Sequence, residues 1–273
     1  MTIKDILILK LGGSLLTDKS TPYTLREELI ANIASEIREC IDLGLIKSLV
    51  LVHGVGSFGH PPVLKYNLHK GFRNKDQLLS LSETQQIVNE LRKTIVAKFI
   101  KEEIPVSLMY ASSMVVGNKM LIVDDIFKSL KGFLSIGMVP LIGGDMMYDE
   151  SMGFSVCGGD QIAVVLSRVL NAKRLLFATD VSGVFDKDPK SGEKAQLLKE
   201  VNINEIEQIL NKMNKSAETD ASGKMQGKLL SLTSIKDRIE EGLEVAIFSM
   251  AEKGTLMKYL KGEEIKSTKI IFK

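Results

Sequence analysis

An apolar stretch, Ser48-Leu-Val-Leu-Val52, runs directly into His53-Gly-Val-Gly-Ser-Phe-Gly-His60, a turn with glycines at 54, 56 and 59 and a histidine closing it. This junction restricts the chain more than any other segment. Glycine reaches positive φ and carries no Cβ, so backbone N–H groups can converge on an anion, and a partly cationic His60 adds a side-chain donor. A second junction of the same kind lies upstream, where the apolar residues 6–9 lead into Lys10-Leu-Gly12-Gly13-Ser14, with Lys19 further on. Two phosphate-grade loops, each after a strand, predict two phosphates held face to face, the geometry of phosphoryl transfer.

The 273 residues suffice for one large α/β unit or two lobes sharing a sheet. A net charge of +2, from 36 basic and 34 acidic residues, gives no electrostatic reason for a nucleic-acid or anionic-membrane partner. Basic chemistry must therefore be local. Cys40 and Cys157 are the only cysteines and form no CxxC, so neither a zinc site nor a disulfide framework is expected. With no signal-like start and no run of transmembrane length, the expectation is a soluble cytoplasmic protein.

Apolar runs at 6–9, 49–52, 106–108, 138–142, 175–178 and 245–248 predict strands. Helical periodicity predicts helices over 25–43, 83–101, 161–170, 203–213 and 228–241. Alternation of this kind implies an α/β fold with a mostly parallel sheet covered on both faces and ligands at the carboxyl ends of the strands.

Gly54-Val-Gly56-Ser-Phe-Gly59 matches G-x-G-x-x-G, but the dinucleotide reading fails on context. His60-Pro61-Pro62 and a polar stretch to Lys75 follow, with no helix directly after the third glycine and no acidic residue at the end of a second strand. Gly223-Lys-Met-Gln-Gly227-Lys228-Leu229 is one residue short of a Walker loop and lacks its Ser/Thr. Lys10 interrupts an apolar strand, a costly place for a charge unless an anion meets it. Asp160, in Cys157-Gly158-Gly159-Asp160, either caps the following helix or orients lysines. Gly143-Gly144-Asp145 reads as a turn. Thr179-Asp180-Val-Ser-Gly183-Val-Phe185 is a strand-end turn suited to a base and ribose, and residues 220–228 read as a flexible loop bringing Lys228 to a helix start. His53 reads as a packed structural residue. His69 is given no role.

Taken together, these segments resemble the amino-acid kinase superfamily over nearly the whole chain. Lys10-Leu-Gly-Gly-Ser14 with Lys19 is similar to its first ATP loop, and the turn closed by His60 is similar to the substrate-phosphate loop of a branch that phosphorylates phosphomonoesters. Further matches are Pro140 to Asp145, Gly153 to Asp160, Thr179 to Phe185 and Gly223 to Lys228. The resemblance implies a three-layer α-β-α sandwich, a single domain over 1–273. Its N-terminal lobe, about 1–170, would bind the acceptor phosphate, and its C-terminal lobe, about 171–273, the nucleotide.

By the same resemblance, the nucleotide contacts are Lys10, Gly12, Gly13, Ser14, Gly56, Asp180, Phe185, Gly223 and Lys228. Lys19 stabilises the transition state and Asp160 organises the lysines. The backbone of Val55 and Gly59, with His60 and Gly159, holds the acceptor phosphate. The family pattern is broken at Val55, Gly158, Ser182 and Lys224, and Val55 matters most because a β-branched residue disfavours positive φ.

The implied reaction is ATP- and Mg²⁺-dependent phosphorylation of isopentenyl phosphate, with no protein-bound metal site, in a homodimer. A fosfomycin-type phosphonate acceptor is the near alternative, and a carboxylate such as acetylglutamate a more remote one. The stripe Ile87, Leu91, Ile95 is read mainly as core and secondarily as a wall for the acceptor tail.

Overall fold

The computed structural model describes residues 3–187, 195–215 and 221–273. Its strands are β1 (Ile6–Leu11), β2 (Ser48–His53), β3 (Val106–Leu108), β4 (Val115–Asn118), β5 (Leu121–Asp125) and β6 (Val139–Gly143), followed by β7 (Asp145–Asp149), β8 (Gly153–Cys157), β9 (Arg174–Thr179), β10 (Glu200–Asn202), β11 (Glu244–Ser249) and β12 (Ser267–Ile271). Eight of them form the central sheet in the order β10-β12-β11-β9-β1-β2-β6-β3. Only the β11–β12 pairing is antiparallel. All six strands expected from the sequence lie in this sheet, and the expected α/β sandwich is present.

Strand β1 shows how the sheet divides its faces. Every residue of Ile6–Leu11 is buried, as in a central parallel strand covered on both sides. Leu7, Leu9 and Leu11 belong to one core, with Ile33, Ile37, Leu91 and Phe99 from the helices Glu27–Asp42 and Asp76–Lys101. Ile6 and Ile8 face the opposite core, with Ile162 and Leu166 from helix Gly159–Val169. The two-residue period therefore aims Lys10 at the face that this last helix covers.

Three expectations need correction. Helix Gly56–Lys65 forms where an irregular stretch was expected, beginning before the third glycine of the turn. The absence of a helix there cannot exclude a dinucleotide fold, but the next strand, β3, begins only at Val106, so the missing second strand still does. Pro61 withholds the N–H that would bond Ser57 in such a helix, and the Tyr23 N–H donates to the freed Ser57 carbonyl at 3.4 Å.

The expected helix 228–241 is instead Ala221–Leu232, a 3₁₀ turn Thr233–Ile235 and Lys236–Glu240. Lys228 thus sits inside a helix rather than at its start, and residues 221–227 are helical rather than loop. Asp220 lies outside the described residues. Finally, β5-β4-β7-β8 form a separate four-stranded sheet that the sequence reading did not contain, and Asp145 opens β7 instead of closing a turn.

Candidate active site

The carboxyl ends of β1, β2, β6 and β9 converge at one end of the central sheet. Lys10, near the end of β1, reaches Asp160 on helix Gly159–Val169, with Nζ 2.7 Å from Oδ1. Lys228, from helix Ala221–Leu232, meets the same oxygen at 2.8 Å. Both lysine side chains are buried, at 9% and 6% exposure, so three charges share a space that excludes most water. Burial pushes the Asp160 carboxyl up, but the two ammoniums outweigh it and hold it well below the usual carboxylate range. Burial pushes Lys228 down to about 8, with Asp160 opposing the shift and Lys10 adding to it. The helix N-cap is Gly158, and no side chain caps it. Asp160 does lie in the first turn of the helix, where a carboxylate is favoured, and its Oδ1 meets both lysines, so the two readings of this residue coexist.

The two glycine loops touch. A Cβ on Gly13 would lie 2.4 Å from the Gly56 nitrogen, and one on Gly54 would lie 2.6 Å from the Gly13 nitrogen. Gly56 has φ +49, and its Cβ would fall 2.0 Å from Thr17 Oγ1. The Thr17 hydroxyl locks this contact, donating to the Gly13 carbonyl at 2.8 Å and accepting from the Ser57 N–H at 3.0 Å. Thr17 is fully buried and was not singled out as a site residue from the sequence. A threonine four positions after Gly13 was the only mark the sequence carried.

Val55 has φ −93 and ψ −16, so the β-branched residue sits in ordinary right-handed backbone and meets no positive-φ strain. Gly59 makes room for it, since a Cβ there would lie 2.3 Å from Val55 Cγ2. His60 lies on the same helix and is exposed. Gly159 approaches the His53 carbonyl, 2.8 Å from where its Cβ would be, and the Lys10 Cε, at 3.4 Å. His53 is fully buried, and burial, helped by the Arg92 charge, pushes its ring down to about 3.

A second charged group stands beside the first. Asp180, after β9, accepts from the Ser14 hydroxyl at 2.6 Å through Oδ1 and from Lys19 Nζ at 3.1 Å through Oδ2. Burial raises the Asp180 carboxyl, and the Ser14 hydrogen bond with the Lys19 charge brings it below the usual range. Gly12 donates its N–H to the Ala178 carbonyl at 2.8 Å, tying the first loop to β9. Phe185 pairs with Leu197 in an isolated bridge, and Gly223 falls in the first turn of helix Ala221–Leu232.

The stripe on helix Asp76–Lys101 resolves into core. Leu91 and Ile95 are buried against the central sheet, with Ile87 packed beside them. A smaller apolar cluster, Leu68, Met146 and Phe154 with Val63, Tyr66 and Val156, lies between helix Gly56–Lys65 and the small sheet. Val63 is one turn beyond His60.

The Amino acid kinase family model matches residues 5–249, and the chain belongs to that family. It is thereby an ATP-dependent kinase. Relatives along its full length are isopentenyl phosphate kinases: those of Methanothermobacter thermautotrophicus and Methanocaldococcus jannaschii are each 32% identical, over 97% of this chain and 98% of theirs. A solved structure of isopentenyl phosphate kinase superposes with a TM-score of 0.82 at 30% identity, covering 97% of this chain and 99% of the other.

Proposed function

We propose that this chain transfers the γ-phosphoryl group of ATP to isopentenyl phosphate, forming isopentenyl diphosphate and ADP. One observation carries the chemistry: ammoniums from two remote segments, Lys10 and Lys19 near the N-terminus and Lys228, gather on two carboxylates beside two glycine loops in direct contact. The full-length likeness to isopentenyl phosphate kinases and the apolar cluster beside the His60 helix support the acceptor.

In this reading an acceptor phosphate oxygen attacks the γ-phosphorus in line. The new P–O bond forms as the bond from the γ-phosphorus to the β–γ bridging oxygen breaks, and the electron pair leaves with ADP. The nucleophile is already ionised, so no general base is needed, and the protein's task is to bring two anions together. Lys10 and Lys228, oriented by Asp160, neutralise the nucleotide phosphates, while Lys19 meets the charge of the transferring group. Gly12, Gly13, Ser14 and Gly56 supply the nucleotide loop, and Asp180, Phe185 and Gly223 complete the nucleotide side. The Val55, Gly59 and Gly159 backbone and His60 receive the acceptor phosphate at the N-terminal ends of two helices.

Mg²⁺ fits as an ion carried by the nucleotide, because the two carboxylates of the site, Asp160 and Asp180, are each engaged by lysine. Among the described residues no group of three His, Cys, Asp or Glu could hold it. When bound, it would offset charge on the phosphate oxygens. We assign acceptor binding to about 1–170 and nucleotide binding chiefly to about 171–273, with Lys10 to Ser14 and Gly56 reaching across to the nucleotide, within one domain that forms a homodimer. Cys40 and Cys157 are both buried free thiols, which suits the reducing cytoplasm. Among the described residues no helix is long and apolar enough to cross a membrane.

ADP release with ATP, Mg²⁺ and, separately, isopentenyl phosphate, dimethylallyl phosphate, fosfomycin and acetylglutamate tests the reading. Turnover of isopentenyl phosphate is expected. Turnover confined to fosfomycin or acetylglutamate would replace it.

A further inference from the structure

Gly143-Gly144-Asp145 joins β6 to β7 at the mouth of the site, and none of the chemistry above uses it. Arg92, from helix Asp76–Lys101, grips it from behind. The guanidinium is 1% exposed; its Nη2 donates to the Gly144 carbonyl at 3.0 Å and lies 3.0 Å from Asp145 Oδ2, itself on a side chain 2% exposed. Nη1 donates to Asn89 Oδ1 at 2.9 Å, and the group stacks 4.9 Å from the Tyr110 ring. Asp145 is held in turn by the Ser112 hydroxyl at 2.9 Å and by the Met146 N–H at 2.9 Å.

Gly144 is the wedge this grip controls. Its N–H donates to the His53 carbonyl at 3.0 Å, and a Cβ on it would stand 3.0 Å from Val55 Cγ1 and 3.7 Å from the Gly159 nitrogen. It therefore sits between the two backbone segments that receive the acceptor phosphate. A buried ion pair is a poor source of stability, because desolvation offsets most of the Coulombic gain, and Arg92 Nε has no partner among the described residues. What the planar guanidinium does supply is a fixed direction: with Nη1 anchored on Asn89, Nη2 is aimed at the Gly144 carbonyl and the Asp145 carboxylate.

We infer that Arg92 is a positioning residue for the acceptor phosphate: through Gly144 and Asp145 it sets the spacing of Val55 and Gly159. The inference rests on the assignment of those two residues to the acceptor. Arg92 and Asp145 cancel in charge, so their effect is on distance rather than on long-range attraction, and it falls on one substrate. The nucleotide loop has a tie of its own, from the Gly12 N–H to the Ala178 carbonyl, which Arg92 does not touch.

Arg92→Lys, which keeps the charge and loses the planar group anchored on Asn89, tests this by steady-state kinetics with whichever acceptor the wild-type protein turns over. The acceptor KM is expected to rise by about tenfold or more while the ATP KM stays within about twofold. Asp145→Asn is expected to shift the same parameter by less. If Arg92→Lys does not fold, Asn89→Ala and Tyr110→Leu, each removing one support of the guanidinium, take its place with the same expected split. An unchanged acceptor KM in a folded variant, or equal rises in both KM values, overturns the role of Arg92. Rejection of isopentenyl phosphate by the wild-type protein would overturn the proposed acceptor instead, so the two failures are distinct.

Discussion

Lys228 holds its ammonium 2.8 Å from Asp160 Oδ1 and 4.3 Å from the centre of the Phe177 ring, paired on one side and against an apolar surface on the other. The position suits a cation that must meet polyphosphate in a dry site. It also weakens the lysine's hold on its proton.

The pH dependence follows from that weakening. Lys228 is pushed from 10.5 to about 8 in the ligand-free protein, so its ammonium is lost as pH rises through about 8. The kcat/KM for ATP, which reports the free protein, is expected to fall along an alkaline limb near pH 8. Lys228→Arg, if active, moves that limb upward, whereas a flat wild-type profile to pH 10 would remove Lys228 from the limb. Between about 8 and 10.5 the unfolded chain binds this proton and the folded one does not. The group's contribution to stability therefore rises with pH across that window.

Asp160→Asn leaves two buried ammoniums without their shared anion. Breaking a buried pair costs about 3–5 kcal/mol of stability, and misplaced cations cost roughly 10²–10³ in kcat. Urea denaturation together with single-turnover phosphoryl transfer separates the two effects. Wild-type kcat in the variant would show that Asp160 does not organise the lysines.

His60→Ala is expected to raise the acceptor KM or abolish turnover while ATP binding persists. Calorimetric titration with a non-hydrolysable ATP analogue, beside acceptor kinetics, reads both halves. Unchanged kinetics would take His60 out of the site.

Gly56→Ala and Gly227→Ala should move stability in opposite directions. Gly56 has φ +49, and its Cβ would strike Thr17 Oγ1, so backbone strain of roughly 1–3 kcal/mol adds to disruption of the loop contact. Gly227 is inside a helix with nothing within 4 Å of its Cβ position, and alanine there is expected to stabilise by about 1 kcal/mol. Thermal denaturation of both variants decides the matter. Equal stability of Gly56→Ala and wild type would contradict the loop-on-loop packing.

Six of the eight central strands were legible because they are short apolar runs, bounded by glycine or charge at Ile6–Leu11 and Ser48–His53, whereas Glu200–Asn202 and Ser267–Ile271, side by side at one end of the sheet and rich in polar residues, were not. The small sheet was not. Asp145–Asp149 begins and ends on aspartate with two methionines between, and its strand character comes from pairing with Gly153–Cys157 rather than from its own composition. Helix Gly56–Lys65 was hidden by Pro61 and Pro62, whose cost in a helix is lowered because the freed Ser57 carbonyl finds Tyr23 from a distant segment.

By itself the sequence determined the continuous apolar run of β1, the glycine loops at strand ends and the kinds of charge available, because these depend on neighbours along the chain. Only the tertiary structure decided that Lys10 and Lys228, 218 positions apart, end on one carboxylate oxygen, or that Arg92 stands behind Gly144. Those meetings are set by which helix packs on which sheet face, a choice made by the summed burial of two cores and written in no local pattern of residues.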